Sequence, residues 1–158
     1  MVVQESVCPV VESPGTRTRF PQNTIRSMEM VILFFSSNAL MPMKITRLYT
    51  GPDNHSCFED IEIPLESKGP LGLFTEPMGA KAVFFREIPP GYEYPWHNVV
   101  CREYVVTLDG EAEIEVGNGE RRRFGRGDVL LAEDLTGRGH STRAIGNEPW
   151  RQIFVTLP

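Results

Sequence analysis

Gly91-Tyr92-Glu93-Tyr94-Pro95-Trp96-His97-Asn98-Val99-Val100-Cys101-Arg102-Glu103-Tyr104-Val105-Val106-Thr107-Leu108-Asp109-Gly110 is the stretch that decides how this chain folds. His97 lies six residues after Gly91, Glu103 six after His97, and Gly110 seven after Glu103. Side chains of a strand alternate between its two faces, so Glu103, Val105 and Thr107 share one face. A second glycine-led run, Gly127-Asp128-Val129-Leu130-Leu131-Ala132, leads to His140. The chain has three histidines, and two of them follow these paired segments. The remaining one, in Asp53-Asn54-His55-Ser56, reads as a surface turn residue.

Outward from this stretch the pattern is strand after strand. Runs at 44–50, 58–63, 71–75, 80–88, 101–108, 111–117, 120–124, 128–133, 140–145 and 151–157 are short, rich in β-branched and aromatic residues, and bounded by turn residues. Glu111-Ala112-Glu113-Ile114-Glu115-Val116 alternates as a strand with one face in water does. Asn118-Gly119 is expected to supply the positive φ angles of a two-residue hairpin turn. No segment carries a sustained helical period, so a parallel α/β sheet with crossover helices is excluded. The sequence predicts an all-β chain whose double sheet hides its edges.

Composition supports a single domain. The 158 residues are 41% hydrophobic and 23% charged, with 14 Gly and 13 Pro, as many tight turns require. The net charge of −5 argues against nucleic acid or an anionic membrane as the main partner. Arg121-Arg122-Arg123 reads as the solvated face of a strand rather than an anion patch. Cys8, Cys57 and Cys101 form no C-x-x-C and no even set, which suggests a reducing, cytoplasmic setting. Cys101 reads as a small apolar core residue, with approach to the site as its alternative.

Residues 1–42 read as a partly disordered N-terminal extension and 43–158 as the folded domain. Met30-Val31-Ile32-Leu33-Phe34-Phe35 is too short to span a bilayer and is badly placed for a signal peptide. It is expected to add a strand or to cover a sheet edge.

The two glycine-led segments resemble those of the cupin family, roughly G-x5-H-x-H-x3-4-E-x6-G and G-x5-P-x-G-x2-H-x3-N. Gly91, His97, Glu103, Gly110 and Gly127 fall on that pattern. Val99 stands at the second histidine of H-x-H, Glu133 at the proline and Leu135 at the next glycine. His140 arrives two residues late, where Arg138 would hold the strict spacing, and Ala144 takes the final asparagine position. Gly137-Arg138-Gly139 reads as a turn insertion that still delivers His140 to the same strand. The resemblance implies a cupin-type jelly-roll β-barrel, or double-stranded β-helix, over 43–158. It makes the Glu103 face the barrel interior, with His97 entering from the end of a loop.

By that resemblance His97, Glu103 and His140 are the candidate site, and Val99 removes a ligand that cupins commonly use. Two imidazoles and a carboxylate suit a divalent metal such as Fe, Mn, Ni or Zn, and a metal-free site is equally open. The structural alternatives are hydrogen-bonded histidines and an ion pair of Glu103 with Arg86, Arg102 or Arg143. Tyr92, Tyr94 and Trp96 wall a pocket mouth or pack at its rim. Glu133 and Asp134 read as surface acids at a strand end, with Glu133 a reserve member of an acid–base pair.

Three functions remain open: a metal-dependent dioxygenase, decarboxylase or isomerase; a metal-free lyase, epimerase or cyclase with histidine as acid–base; and a non-catalytic ligand-sensing barrel. All three imply a small-molecule ligand or substrate, and the resemblance adds a homodimer. Fold alone does not choose among them.

Overall fold

The computed structural model describes residues 42–158. The expected extension over 1–42, with its apolar run, therefore falls outside the described residues apart from Pro42. Twelve strands follow in order: β1 (Met43–Thr50), β2 (Ser56–Ile63), β3 (Glu66–Ser67), β4 (Leu73–Phe74), β5 (Ala82–Ile88), β6 (Glu93–His97), β7 (Glu103–Asp109), β8 (Glu111–Glu115), β9 (Arg121–Phe124), β10 (Val129–Glu133), β11 (His140–Ile145) and β12 (Trp150–Thr156). A 3-10 turn at Gly69–Leu71 is the one helical piece among the described residues, and no helix there is long and apolar enough to cross a membrane.

The strands form a six-stranded sheet, β2-β1-β10-β7-β12-β5, and a four-stranded sheet, β6-β11-β8-β9. From β5 onward the chain passes back and forth between the two sheets, which is the winding of a jelly-roll barrel. Pairing is antiparallel except between β1 and β10. The expected all-β double sheet is thus the fold of this chain.

Alternation explains the core. Ala112 and Ile114 of β8, with Val116 beyond it, turn inward and are buried, while Glu111, Glu113 and Glu115 turn outward. Ile114 and Val116 meet Leu48, Val105, Leu130 and Phe154 of the larger sheet. Each fully buried aliphatic side chain of this kind contributes about 1.5–3 kcal/mol. Ile88, Ala112, Ala144 and Trp150 form a second cluster.

Gly110 explains why the 91–110 stretch ends in glycine. Its φ is +72°, and a Cβ there would stand 2.5 Å from the Pro149 carbonyl oxygen. Only glycine lets β7 turn into β8 beneath that backbone.

Three local readings need correction. His97 does not enter from a loop: Glu93–His97 is a strand at the edge of the smaller sheet. Pro95 hid it, because a proline argues against a strand everywhere except at an edge. The 71–75 run is a two-residue strand pairing with Glu66–Ser67. At the β8–β9 hairpin only Gly119 has positive φ, at +83°. Val116 N–H bonds Glu120 O at 3.0 Å, so the loop is three residues with glycine in the left-handed position.

Candidate functional site

A cavity of about 400 Å³ opens between the two sheets, within the range of small-molecule sites. His97, Glu103 and His140 all line it, as do Tyr92, Tyr94 and Val99. Its other walls are largely apolar and include Phe84, Ile114, Leu130 and Phe154.

The histidines are neighbours by strand pairing. His140, the first residue of β11, is in register with His97, the last of β6. Their ring centroids are 4.3 Å apart. The register then slips, so that Thr142 pairs with Tyr94. Three residues of β6 thus pass against two of β11. The extra residue undoes strict alternation, and both Tyr94 and His97 reach the cavity. Their rings stand edge to face at 4.1 Å. Gly139, with φ +72°, lies so close to the His97 backbone that a Cβ would fall on its carbonyl.

Both tautomers follow from the partners. His97 Nδ1 lies 2.8 Å from Pro95 O. A carbonyl only accepts, so Nδ1 carries the proton and Nε2 is the basic nitrogen. His140 Nδ1 lies 2.7 Å from Asp134 Oδ2. With Asp134 as carboxylate, His140 also donates from Nδ1 and keeps its lone pair on Nε2. Asp134 is fully buried and accepts from Ser56 Oγ at 2.7 Å as well, while its Oδ1 has no partner among the described residues. Asn98 Nδ2 donates to the carbonyls of Asp134 and Thr136 at 2.9 and 2.6 Å, tying the loop after His97 to the loop before His140.

The electrostatics sort the acids. Burial pushes the Glu103 carboxyl above the usual range, and the charge of Arg86 offsets this only in part. Burial pushes His97 below the ordinary histidine value; the hydrogen bond to Pro95 opposes this, and the neighbouring His140 adds to it. Burial would also raise Glu133, but hydrogen bonds from Arg47 and Arg102 hold it below the usual range. Those bonds are 2.6 and 2.7 Å long.

The structure thus separates two adjacent acids. Glu133 sits in an ion pair with Arg47 and Arg102 and does not line the cavity. Asp134, expected at the surface, is at 0% exposure behind His140. Two acids closing a strand read as solvated, and nothing local signals that the next loop folds one of them inward. Ser56, its other partner, carried no sequence signal. Among the described residues Glu103 makes no ion pair: Arg102 pairs with Glu133 and Arg143 with Glu113. Trp96 is 49% exposed and lies outside the cavity lining, whereas half-buried Cys101 is in it. Among the described residues no three His, Cys, Asp or Glu side chains converge as a metal-ligand group.

No family model matches the chain. It is 34% identical over 89 residues to phomopsin biosynthesis cluster protein D of Diaporthe leptostromiformis, covering 56% of this chain and 44% of that protein. It is 28% identical over 71 residues to a cupin-domain-containing oxidoreductase, fogC, of Aspergillus ruber, covering 45% and 35%. The matched stretches therefore span less than half the length of these relatives. Among solved structures, a cupin 2 conserved barrel domain protein from Salinispora arenicola aligns at 22% identity with a TM-score of 0.40, over 48% of this chain and 61% of that one.

Proposed function

We propose that this cupin barrel is an enzyme of proton-transfer chemistry, acting on a small organic molecule held between its sheets. The observation that carries the reading is the buried Ser56–Asp134–His140 chain, which ends beside His97 at the cavity wall. A carboxylate behind an imidazole fixes the tautomer and stabilises the imidazolium that forms when Nε2 takes a proton. In this reading His140 Nε2 removes a proton from the substrate. Glu103, whose carboxyl burial pushes above the usual range, serves as the partner that returns one to another substrate atom. The substrate leaves as an isomer, and proton exchange between His140 and Glu103 through the cavity resets the pair. No oxidant or co-reactant is required.

The relative named for phomopsin biosynthesis supports a substrate that is a biosynthetic intermediate. The test is deuterium exchange: candidate small acids, phenols and ketones are incubated with the protein in heavy water and followed by proton NMR. Exchange or isomerisation with the parent, lost in His140→Gln, supports the reading. Tight binding with neither exchange nor turnover leaves the sensing barrel in its place.

One observation favours a second reading. His97 and His140 both keep Nε2 as the lone-pair nitrogen, and adjacent imidazoles are half of a divalent-metal set, with Glu103 the third expected member. The relative named an oxidoreductase points the same way. The described residues do not converge as such a set, so no step is routed through a metal.

A further inference from the structure

We propose that Arg86 and Gln152 form an anchor for a ligand carboxylate, so that the cavity takes small apolar monocarboxylates. The anchor lies on the larger sheet, across from the strands that carry the two histidines. The proposal names the substrate class for the proposed site, and it rests on the acid–base reading only for what happens at the histidine end.

Two independent features carry it. Arg86 lines the cavity and holds no carboxylate within ion-pair distance among the described residues. Arg47, Arg102, Arg122, Arg143 and Arg151, by contrast, each hold one. A half-buried guanidinium facing an apolar cavity is costly without an anionic partner. Its planar fork suits a carboxylate bound through two parallel N–H···O bonds. The second feature is Gln152, directly paired with Arg86 across β12 and β5. Gln152 is 1% exposed, lines the same cavity, and leaves its side-chain Oε1 without a hydrogen-bond partner among the described residues. Such orphaned buried atoms are rare in folded proteins and call for a partner. The amide can present either its oxygen or its nitrogen by a half-turn of its last bond, so it can give the carboxylate a second donor.

Reach and walls fix the rest of the ligand. Arg86 Cζ stands 5.7 Å from the Tyr94 ring, and that ring is 4.1 Å from His97. One small molecule can therefore touch the anchor and the histidines together. The same cavity is lined by Phe84, Tyr92, Val99 and Phe154, which favour an aryl or alkyl body. Glu103 is the one competing anion in the cavity. Burial pushes its carboxyl above the usual range, and among the described residues it stands outside ion-pair distance of Arg86. A single guanidinium with one amide suits one negative charge better than a phosphate, which draws several cationic donors.

The test measures binding, not turnover. 3-Phenylpropionate, indole-3-acetate and octanoate are titrated by calorimetry and ligand-observed NMR beside their primary amides, with phenyl phosphate as a third arm. At least one acid is expected to bind roughly tenfold tighter than its amide. Arg86→Leu should remove that preference, Arg86→Lys should keep part of it, and Gln152→Leu should weaken the acid a few-fold, each variant checked by circular dichroism. The anchor is overturned if acids and amides bind alike, if no acid binds, if phenyl phosphate binds best, or if a folded Arg86→Leu keeps the preference. A parent that catalyses exchange without preferring acids overturns the anchor and leaves the acid–base reading standing. The preference without exchange supports the anchor alone.

Discussion

His140 donates its Nδ1–H to Asp134 Oδ2 across 2.7 Å, and Asp134 has no exposure to solvent. That bond leaves the lone pair on Nε2 of a histidine that lines the cavity. Asp134→Asn is nearly the same size but presents a dipole in place of the charge and can favour the other tautomer. Turnover is expected to fall by roughly two to four orders of magnitude with KM little changed. A full kcat and KM determination checks this, and a fall in KM-side affinity alone would assign Asp134 to packing. Asp134→Ala also strands Ser56 and His140 and should cost about 3 kcal/mol, measured by denaturant unfolding.

Gly139 is the second point of leverage. Its φ of +72° suits glycine, and a methyl group there would fall on the His97 carbonyl. Gly139→Ala should destabilise the domain by about 2 kcal/mol or more and push β6 away from β11. Thermal melts give the first effect. A ring-current change at the His97 and His140 protons in the NMR spectrum gives the second. An unchanged melt would mean that the backbone relaxes around the methyl.

Glu133 and Glu103 titrate in opposite senses. Glu133 is held below the usual carboxylate range, so the folded chain binds fewer protons than the unfolded one as pH falls through that window. Its contribution is present above the unfolded value and is lost as pH drops through the folded one. Glu103 is raised, so stability declines as pH climbs from the unfolded value through the folded one. Glu133→Gln should therefore flatten the acid limb of a plot of melting temperature against pH. Glu103→Gln should remove a decline that starts in the ordinary carboxylate range. Identical pH profiles for parent and both variants would refute the assignments.

The acid–base reading expects activity to survive chelation and dialysis. Elemental analysis of protein purified without chelator should then show no stoichiometric transition metal. Val99 lines the cavity beside His97, so Val99→His places a third imidazole there. Nickel or zinc affinity, read by calorimetry, should rise by roughly tenfold or more over the parent. Activity abolished by chelation and restored by one divalent ion would move the function to the second reading.

The barrel was legible because its causes are local. Alternation in Glu111–Val116, glycine at position 110 and turn residues between short runs each act within a few residues. They determined the strands and which residues share a face, while the cupin resemblance alone implied that the Glu103 face lies inside. Strand pairing across the chain decided the rest. It set His140 against His97 by register, at the end of an edge strand that Pro95 had disguised. It brought Ser56 of β2 and Asp134 of the β10–β11 loop to one buried point, 78 residues apart in sequence. It set Arg86 beside Gln152, whose Oε1 has no hydrogen-bond partner among the described residues. Whether a polar side chain is solvated, paired or left waiting depends on the strands packed around it, and those come from anywhere along the chain. Adjacent Glu133 and Asp134 look alike in sequence, yet one ended in a surface ion pair and the other behind a cavity histidine, because only tertiary packing decides which groups lose water and which partners replace it.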